Sequence, residues 1–289
     1  MTTSEIEIIR LSGEKDTFSI DKLRNSLKRT GADNITIDRI INKVSEELYQ
    51  GISTKEIYNR AFNILKKKKS YFASKYKLKK AIYELGPTGF PFERFIAAIL
   101  KYSGYKTEVS KILPGTCVSH EIDVVAHKNG DTTIIECKFH SDPRLKCNVK
   151  VPLYINSRYT DVKNFWNSNP VNGTTLTEGW VVTNTRFTKD ALKYGKCCGL
   201  YLVSWDYPKK NSLKDRIDRL GLYPITVSTI LTKREKQFLL NRNVVLCREL
   251  VKDHFFLDHL GISEVRKEKI LNEIKMLCNR KNPNHDKLR

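Results

Sequence analysis

The stretch His120-Glu121-Ile122-Asp123-Val124-Val125-Ala126-His127-Lys128-Asn129-Gly130-Asp131-Thr132-Thr133-Ile134-Ile135-Glu136-Cys137-Lys138 decides how this chain is read. Asn-Gly between two apolar runs is a strong hairpin signal, because a tight two-residue turn needs positive φ at both positions. With Asn129-Gly130 as the loop, Lys128 pairs with Asp131 and Asp123 falls directly opposite Glu136. Glu121 falls opposite Lys138, and Lys138 shares the face of Glu136 because side chains alternate along a strand. Ile122, Val124, Val125, Ile134 and Ile135 flank these charges, so the strands ask for burial. Facing carboxylates repel, and a charged cluster in buried strands is costly without compensation. A divalent cation compensates, since Mg2+ takes one or two carboxylates plus waters and phosphate oxygens. Asp123 and Glu136 are therefore candidate metal ligands. Lys138 is a candidate to orient or deprotonate a water, or to neutralise developing charge. Together they describe metal-assisted phosphodiester hydrolysis. The plainer alternative is an exposed sheet face with a cross-strand Lys–Glu pair.

Outward from the hairpin, Gly86-Pro87-Thr88-Gly89 marks a boundary, and Phe92, Phe95, Ile96, Ile99 and Leu100 make the apolar stripe of a helix that Gly104 ends. Strands are expected at 106–113, 121–128, 132–140, 178–183 and 200–205, with helices at 150–166 and 188–196. Such alternation predicts an α/β (α+β) fold with a mixed central sheet. Cys117-x-x-His120 and Cys137-x-x-His140 have zinc-like spacing, but Cys137 and His140 project to opposite faces of a regular strand. His120 and His140 fit better as supports of the acids or as phosphate contacts. Lys146, Lys150 and Arg158 follow the acidic strand, as backbone-phosphate (DNA) contacts or as plain surface.

Ile122-Asp123 followed by Glu136-Cys137-Lys138 resembles the core of the PD-(D/E)xK nuclease superfamily. The helix Gly89-Phe90-Pro91-Phe92-Glu93-Arg94-Phe95 is similar to that of the Mrr-like restriction endonucleases, as is Gly179-Trp180-Val181-Val182-Thr183-Asn184 with Phe187-Thr188-Lys189-Asp190-Ala191 and Leu200-Tyr201-Leu202-Val203. The resemblance covers roughly residues 88–210. It implies Glu93, Asp123, Glu136 and Lys138 as catalytic residues, a Mg2+ or Mn2+ ion and a DNA substrate. Ile122 stands where the superfamily motif has Pro, and Cys137 fills the middle position.

Ahead of this core, Ile37, Ile40, Ile41, Val44 and Leu48 share a helical face, and Ser53-Thr54-Lys55-Glu56 opens another helix. Ile8-Ile9-Arg10-Leu11-Ser12-Gly13, Phe18, Asp21-Lys22-Leu23 and Gly51-Ile52-Ser53-Thr54-Lys55-Glu56-Ile57 resemble an ATP-cone, a regulatory nucleotide-binding module, over about residues 4–84. The resemblance implies ATP or dATP as a regulatory ligand and Arg10, Gly13, Lys22 and Thr54 as nucleotide-binding residues. Arg10-Leu11-Ser12-Gly13 lacks one basic residue and the acid of the usual motif. Between Lys66 and Lys80 lie eight lysines interleaved with Tyr71, Phe72 and Tyr76, either a solvated helix face or a phosphate-facing ridge. After Pro224 the chain reads as helical, and Leu257-Asp258-His259-Leu260-Gly261-Ile262-Ser263 resembles a helix-hairpin-helix DNA-binding half; a helical cap or dimerisation element fits equally.

The expected organisation is an ATP-cone at 1–85, a restriction-endonuclease-like nuclease core at 86–222 and a small all-helical domain at 223–289. Net charge is +20, spread as +7, +7 and +6 over 1–85, 86–225 and 226–289. A polyanion is the natural partner for such a chain, against the alternative of a generally lysine-rich surface. No apolar run reaches membrane-spanning length, and the N-terminus has no apolar signal core. Seven cysteines without a CxxC suggest cytosolic thiols, with Cys197-Cys198 as filler or a redox pair. The expectation is a cytoplasmic, Mg2+-dependent endodeoxyribonuclease regulated by ATP or dATP. One site per chain and two strands to cut favour a homodimer or higher homo-oligomer. The alternative is a nucleotide-responsive DNA-binding regulator with a non-catalytic nuclease-like fold.

Overall fold

The structure, a computed structural model, describes residues 6–169 and 173–279. The expected start at residue 1 and end at residue 289 lie outside the described residues. The first unit comprises β1 (Glu7–Ile9), β2 (Lys15–Thr17), α1 (Ile20–Lys28), α2 (Asn34–Glu46), β3 (Ile52–Ser53) and α3 (Thr54–Lys68). Its three strands form a sheet in the order β2-β1-β3. Polar side chains open each helix: Ser19 accepts from Lys22 N, Asp33 from Thr36 N and Ser53 from Glu56 N, satisfying otherwise orphaned amides. Ile37, Ile40, Ile41 and Val44 are buried together with Leu27, Ala61 and Leu65 in one core. Each such aliphatic side chain stabilises the fold by roughly 1.5–3 kcal/mol.

The lysine-rich stretch is not one face. It breaks at Lys69 into α3 and α4 (Ser70–Tyr83). Lys66, Lys67 and Lys68 are exposed. Lys77 instead donates from Nζ to Glu84 at 2.7 Å and to the Thr226 carbonyl at 3.0 Å, so it ties α4 to the C-terminal segment.

The second sheet has five strands in the order β4-β5-β6-β7-β8. They are β4 (Lys106–Leu113), β5 (His120–Lys128), β6 (Asp131–Lys138), β7 (Thr175–Thr183) and β8 (Tyr201–Val203). The first two junctions are antiparallel and the last two parallel, a mixed sheet. The parallel steps need crossovers, supplied by α6 (Lys150–Ser168) and α7 (Lys189–Cys197). Asn129 and Gly130 turn the β5–β6 hairpin at φ 54° and 85°.

One sheet face, with Val124, Ala126, Ile135, Trp180 and Val182, packs on Phe92, Phe95 and Ile96 of α5 (Phe90–Lys101). The other, with Ile122, Val125, Ile134 and Val181, packs on Ile155, Tyr159 and Val162 of α6 and Ala191 of α7. Beyond α8 (Leu213–Leu220) the chain is helical: α9 (Lys233–Asn241), α10 (Cys247–Lys252), α11 (Phe255–His259) and α12 (Glu264–Cys278). Leu78, Ala81 and Ile82 of α4 and Ile270, Ile274 and Leu277 of α12 join the same apolar cluster as the α5 side of the sheet. The C-terminal helices thus share the core on the α5 side of the sheet. No described helix is long and apolar enough to cross a membrane.

Candidate functional site

The hairpin follows the register set by its turn from Lys128↔Asp131 to Val124↔Ile135, and there the ladder ends. Asp123 is not simply apposed to Glu136. Its Oδ2 accepts the Cys137 amide at 2.7 Å, so a side chain takes the place of the next ladder carbonyl. The strands separate at the end where the acids gather. Cys137 packs toward the α5-side core.

Three carboxylates meet here. Glu93, in the first turn of α5, is 9% exposed and Glu136 is 6% exposed. Gly89 opens α5 beside Glu93: a Cβ there would stand 3.0 Å from Glu93 Oε1. Burial, then the charges of Asp123 and Glu121, raise the Glu93 carboxyl to about 7. Burial, then Asp123, raise Glu136 to about 8, against the opposing pull of Arg158. Burial also raises Asp123, offset by the Cys137 amide. The acids destabilise one another's charge.

Arg158 on α6 partly answers that charge. Its Nη1 donates to Glu136 Oε2 at 2.8 Å and its Nη2 to the Glu121 carbonyl. With 15% of its side chain exposed it sits within the acidic cluster rather than on open surface, unlike the phosphate contact expected of it. Lys150, at the start of α6, is exposed. Lys138 is exposed at the end of β6 and pairs in register with Thr183 of β7, not with Glu121. Its charge lowers the Asp123 carboxyl.

Glu136 Oε1 is buried with no hydrogen-bond partner among the described residues. No group of three or more His, Cys, Asp or Glu side chains among the described residues could hold a metal ion. Asp123 and Glu136 offer carboxylate oxygens here, and among the described residues Glu136 Oε1 has no partner. That fits a hard divalent cation, which fills its remaining positions with water and phosphate oxygens. It does not fit zinc. His120 Nε2 is 2.8 Å from Asp161 Oδ2, and that carboxylate also accepts the Cys117 and Val118 amides. His140 is clamped through its backbone, its amide and carbonyl both bonding the Asn184 side chain.

A second site lies on the N-terminal unit, a cleft of about 500 Å3. Arg10, Lys22 and Thr54 line it; Gly13 does not. Gly13 turns the β1–β2 hairpin at φ 85°, its amide donating to the Arg10 carbonyl at 2.9 Å, so it places Arg10 instead. Asp16, absent from the sequence reading, accepts from Arg10 Nη2 at 2.6 Å and Lys22 Nζ at 3.4 Å. Tyr58 and Tyr76 also line the cleft, stacked at 5.0 Å between ring centroids. Arg186, from the loop after β7, completes the lining. Spacing along the chain carries no signal for Arg186, or for the pairing of Arg158 with Glu136, because each arrives from another unit or helix.

Comparison with known proteins adds three family matches. Residues 6–83 match the ATP cone domain, 87–206 a restriction endonuclease domain and 223–278 the AF1548-like C-terminal domain. An uncharacterized protein of Archaeoglobus fulgidus is 34% identical over 181 residues, 62% of this chain and 98% of that protein. The crystal structure of a protein of unknown function, AF1548, is similar with a TM-score of 0.54 and 31% identity, covering 66% of this chain and 98% of that one.

Proposed function

The chain belongs to the AF1548-like family, with an ATP-cone ahead of a restriction-endonuclease domain, and from this we propose that it is a divalent-metal-dependent DNA endonuclease regulated by ATP or dATP. The observation that carries the reading is the unpartnered, buried Glu136 Oε1 beside Asp123 and Glu93. A buried carboxylate cluster with a free oxygen asks for a cation.

Asp123 and Glu136 would hold a Mg2+ or Mn2+ ion, which when bound would supply charge neutralisation at the scissile phosphate and a lowered water pKa. Arg158 fixes the Glu136 carboxylate by holding Oε2, leaving Oε1 free. The Cys137 amide fixes Asp123 in the same way. Lys138, exposed at the open end of the strands, orients the attacking water or meets charge developing on the phosphate. Glu93, buried in the first turn of α5 beside these acids, is the group that would take or return a proton. Lys150, exposed at the start of α6, would contact the DNA backbone, whose phosphates the +20 chain attracts.

In the cone, Arg10 and Lys22 meet the nucleotide phosphates in exchange for Asp16, and Thr54 hydrogen-bonds the nucleotide. Free cysteines throughout accord with a cytoplasmic setting. Two strands to cut favour a homodimer.

A second reading is favoured by one observation. Arg158 already bonds Glu136, as a guanidinium would in a retired metal site. That reading is a nucleotide-responsive DNA-binding regulator. Plasmid DNA incubated with the protein and Mg2+ or Mn2+, with and without ATP or dATP, separates the two. Cleavage by the wild type that is lost in Asp123→Ala and Lys138→Ala supports the endonuclease. DNA binding without cleavage, indifferent to chelation, supports the regulator.

A further inference from the structure

Arg186 belongs to the nuclease domain by sequence, in the loop between β7 and α7, yet its side chain lines the cone cleft together with Arg10, Lys22 and Thr54. Its Nε donates to Asp206 Oδ2 at 2.7 Å. Its two Nη groups make no hydrogen bond among the described residues, and the side chain is 59% exposed. A guanidinium presents five donors in a planar fork, and among the described residues only Nε of this one is engaged, so the rest of the fork stays open at the rim of the cleft. The aromatic wall of the cleft is the stacked pair Tyr58 and Tyr76, 5.0 Å between ring centroids.

The backbone of Arg186 is held firmly. Its carbonyl accepts the Cys147 amide at 2.8 Å, and the Thr188 amide donates to the Cys147 carbonyl at 3.0 Å. Cys147 lies three residues before the first residue of α6, the helix that brings Arg158 to Glu136. A ligand that pulls on Arg186 therefore pulls on a loop stitched to the start of that helix.

We propose that Arg186 is a phosphate ligand of the nucleoside triphosphate in the cone, supplied in cis by the nuclease domain. This rests on the reading of the cone as a nucleotide site and names the residue through which occupancy reaches the nuclease. The polyphosphate competes with Asp206 for the guanidinium, adding charge-assisted bonds that the cone alone does not offer. Nucleotide and nuclease loop then become linked sites, each biasing the other's state.

The test is calorimetric titration of the full chain with ATP and with dATP, without DNA. Arg186→Ala is expected to bind about 10-fold or more weakly. Arg186→Lys recovers part of the loss by restoring the charge without the fork. Asp206→Asn, which frees the guanidinium, binds as tightly as wild type or tighter. Arg186→Ala binding equal to wild type overturns the proposal and leaves the cone as a nucleotide site. Wild type that binds neither nucleotide overturns both. A loss in Arg186→Ala that Arg186→Lys does not relieve at all, with Asp206→Asn equally impaired, marks a structural role and overturns the proposal alone.

Discussion

Arg158 Nη1 lies 2.8 Å from Glu136 Oε2, while the other oxygen of that carboxylate is buried without a partner among the described residues. One guanidinium thus answers half of a carboxylate, in a cluster where Asp123 and Glu93 add like charge. The arrangement holds Glu136 in place and leaves one oxygen for a ligand. Removing Arg158 leaves a buried Glu136 carboxyl, raised to about 8 and so largely protonated at neutral pH, short of a hydrogen-bond partner, at a cost of about 1–3 kcal/mol. Arg158→Met is therefore expected to destabilise the metal-free protein by about that amount in urea melts. Mn2+ should stabilise the variant more than the wild type, since a cation then compensates the acids. A variant as stable as wild type, or one that ignores Mn2+, contradicts this account of the site.

Asp123→Asn keeps an acceptor for the Cys137 amide and removes a charge from the cluster. Stability should stay level or rise slightly, while plasmid cleavage falls by about 10^3-fold, the scale of losing a few kcal/mol of transition-state stabilisation. Undiminished cleavage in this variant would remove Asp123 from the metal site.

The C-terminal helices carry a pH-sensitive tie. Arg266 donates to both oxygens of Glu235, at 2.5 and 2.7 Å. This ion pair, with the cap bonds from Thr232, holds the Glu235 carboxyl at about 2, against 4.5 for the free group. A depressed acid contributes stability above its unfolded pKa and loses it as pH falls toward the folded one. The contribution is complete above about pH 4.5 and disappears toward pH 2. Because Arg266 is a third exposed, its size is on the order of 1–2 kcal/mol after screening. Melts of Glu235→Gln and wild type from pH 7 to pH 2.5 should converge as the pH falls; curves that stay parallel would show that the pair contributes nothing.

Glu273 on α12 is 2% exposed and gathers four donors. Ser74 Oγ on α4 and Ser228 Oγ lie at 2.7 and 2.5 Å, with the Thr229 hydroxyl and amide at 2.7 and 3.1 Å. Glu273→Ala strands all four and should cost about 3–5 kcal/mol. Glu273→Gln, which keeps an acceptor, should cost less. Limited proteolysis is expected to open the α4–α12 junction first in the alanine variant. An unchanged cleavage pattern and melt would mean that the network is dispensable.

Much of this was legible from neighbours in the chain. The Asn129-Gly130 turn set the hairpin register as far as Val124↔Ile135, because turn chemistry acts between adjacent residues. The apolar stripe on α2 and the capping residue Ser53 act within one or two helical turns, so spacing alone reveals them. The two module resemblances are matched by the ATP cone and restriction endonuclease domains at 6–83 and 87–206. The apposition of Asp123 with Glu136 was legible only as an ideal ladder. The carboxylate's capture of the Cys137 amide ends the pairing at that point, a competition between side chain and backbone that strand alternation does not encode.

By itself, the sequence determined which residues are chemically able to act, and the local elements that carry them. Asp123, Glu136 and Lys138 lie on one hairpin, Glu93 on the helix before it, and Arg10, Lys22 and Thr54 along one N-terminal unit. Only the tertiary structure decided what those groups meet. Arg158 reaches Glu136 because α6 packs across the sheet, and Arg186 reaches the cone because a nuclease loop faces it. Lys77 turns from an expected surface charge into a tie to Thr226. The physical reason is range. Turns and caps are settled by bonds a few residues apart, whereas the partner of a long, flexible cation is set by which distant surface the hydrophobic packing brings within hydrogen-bonding distance.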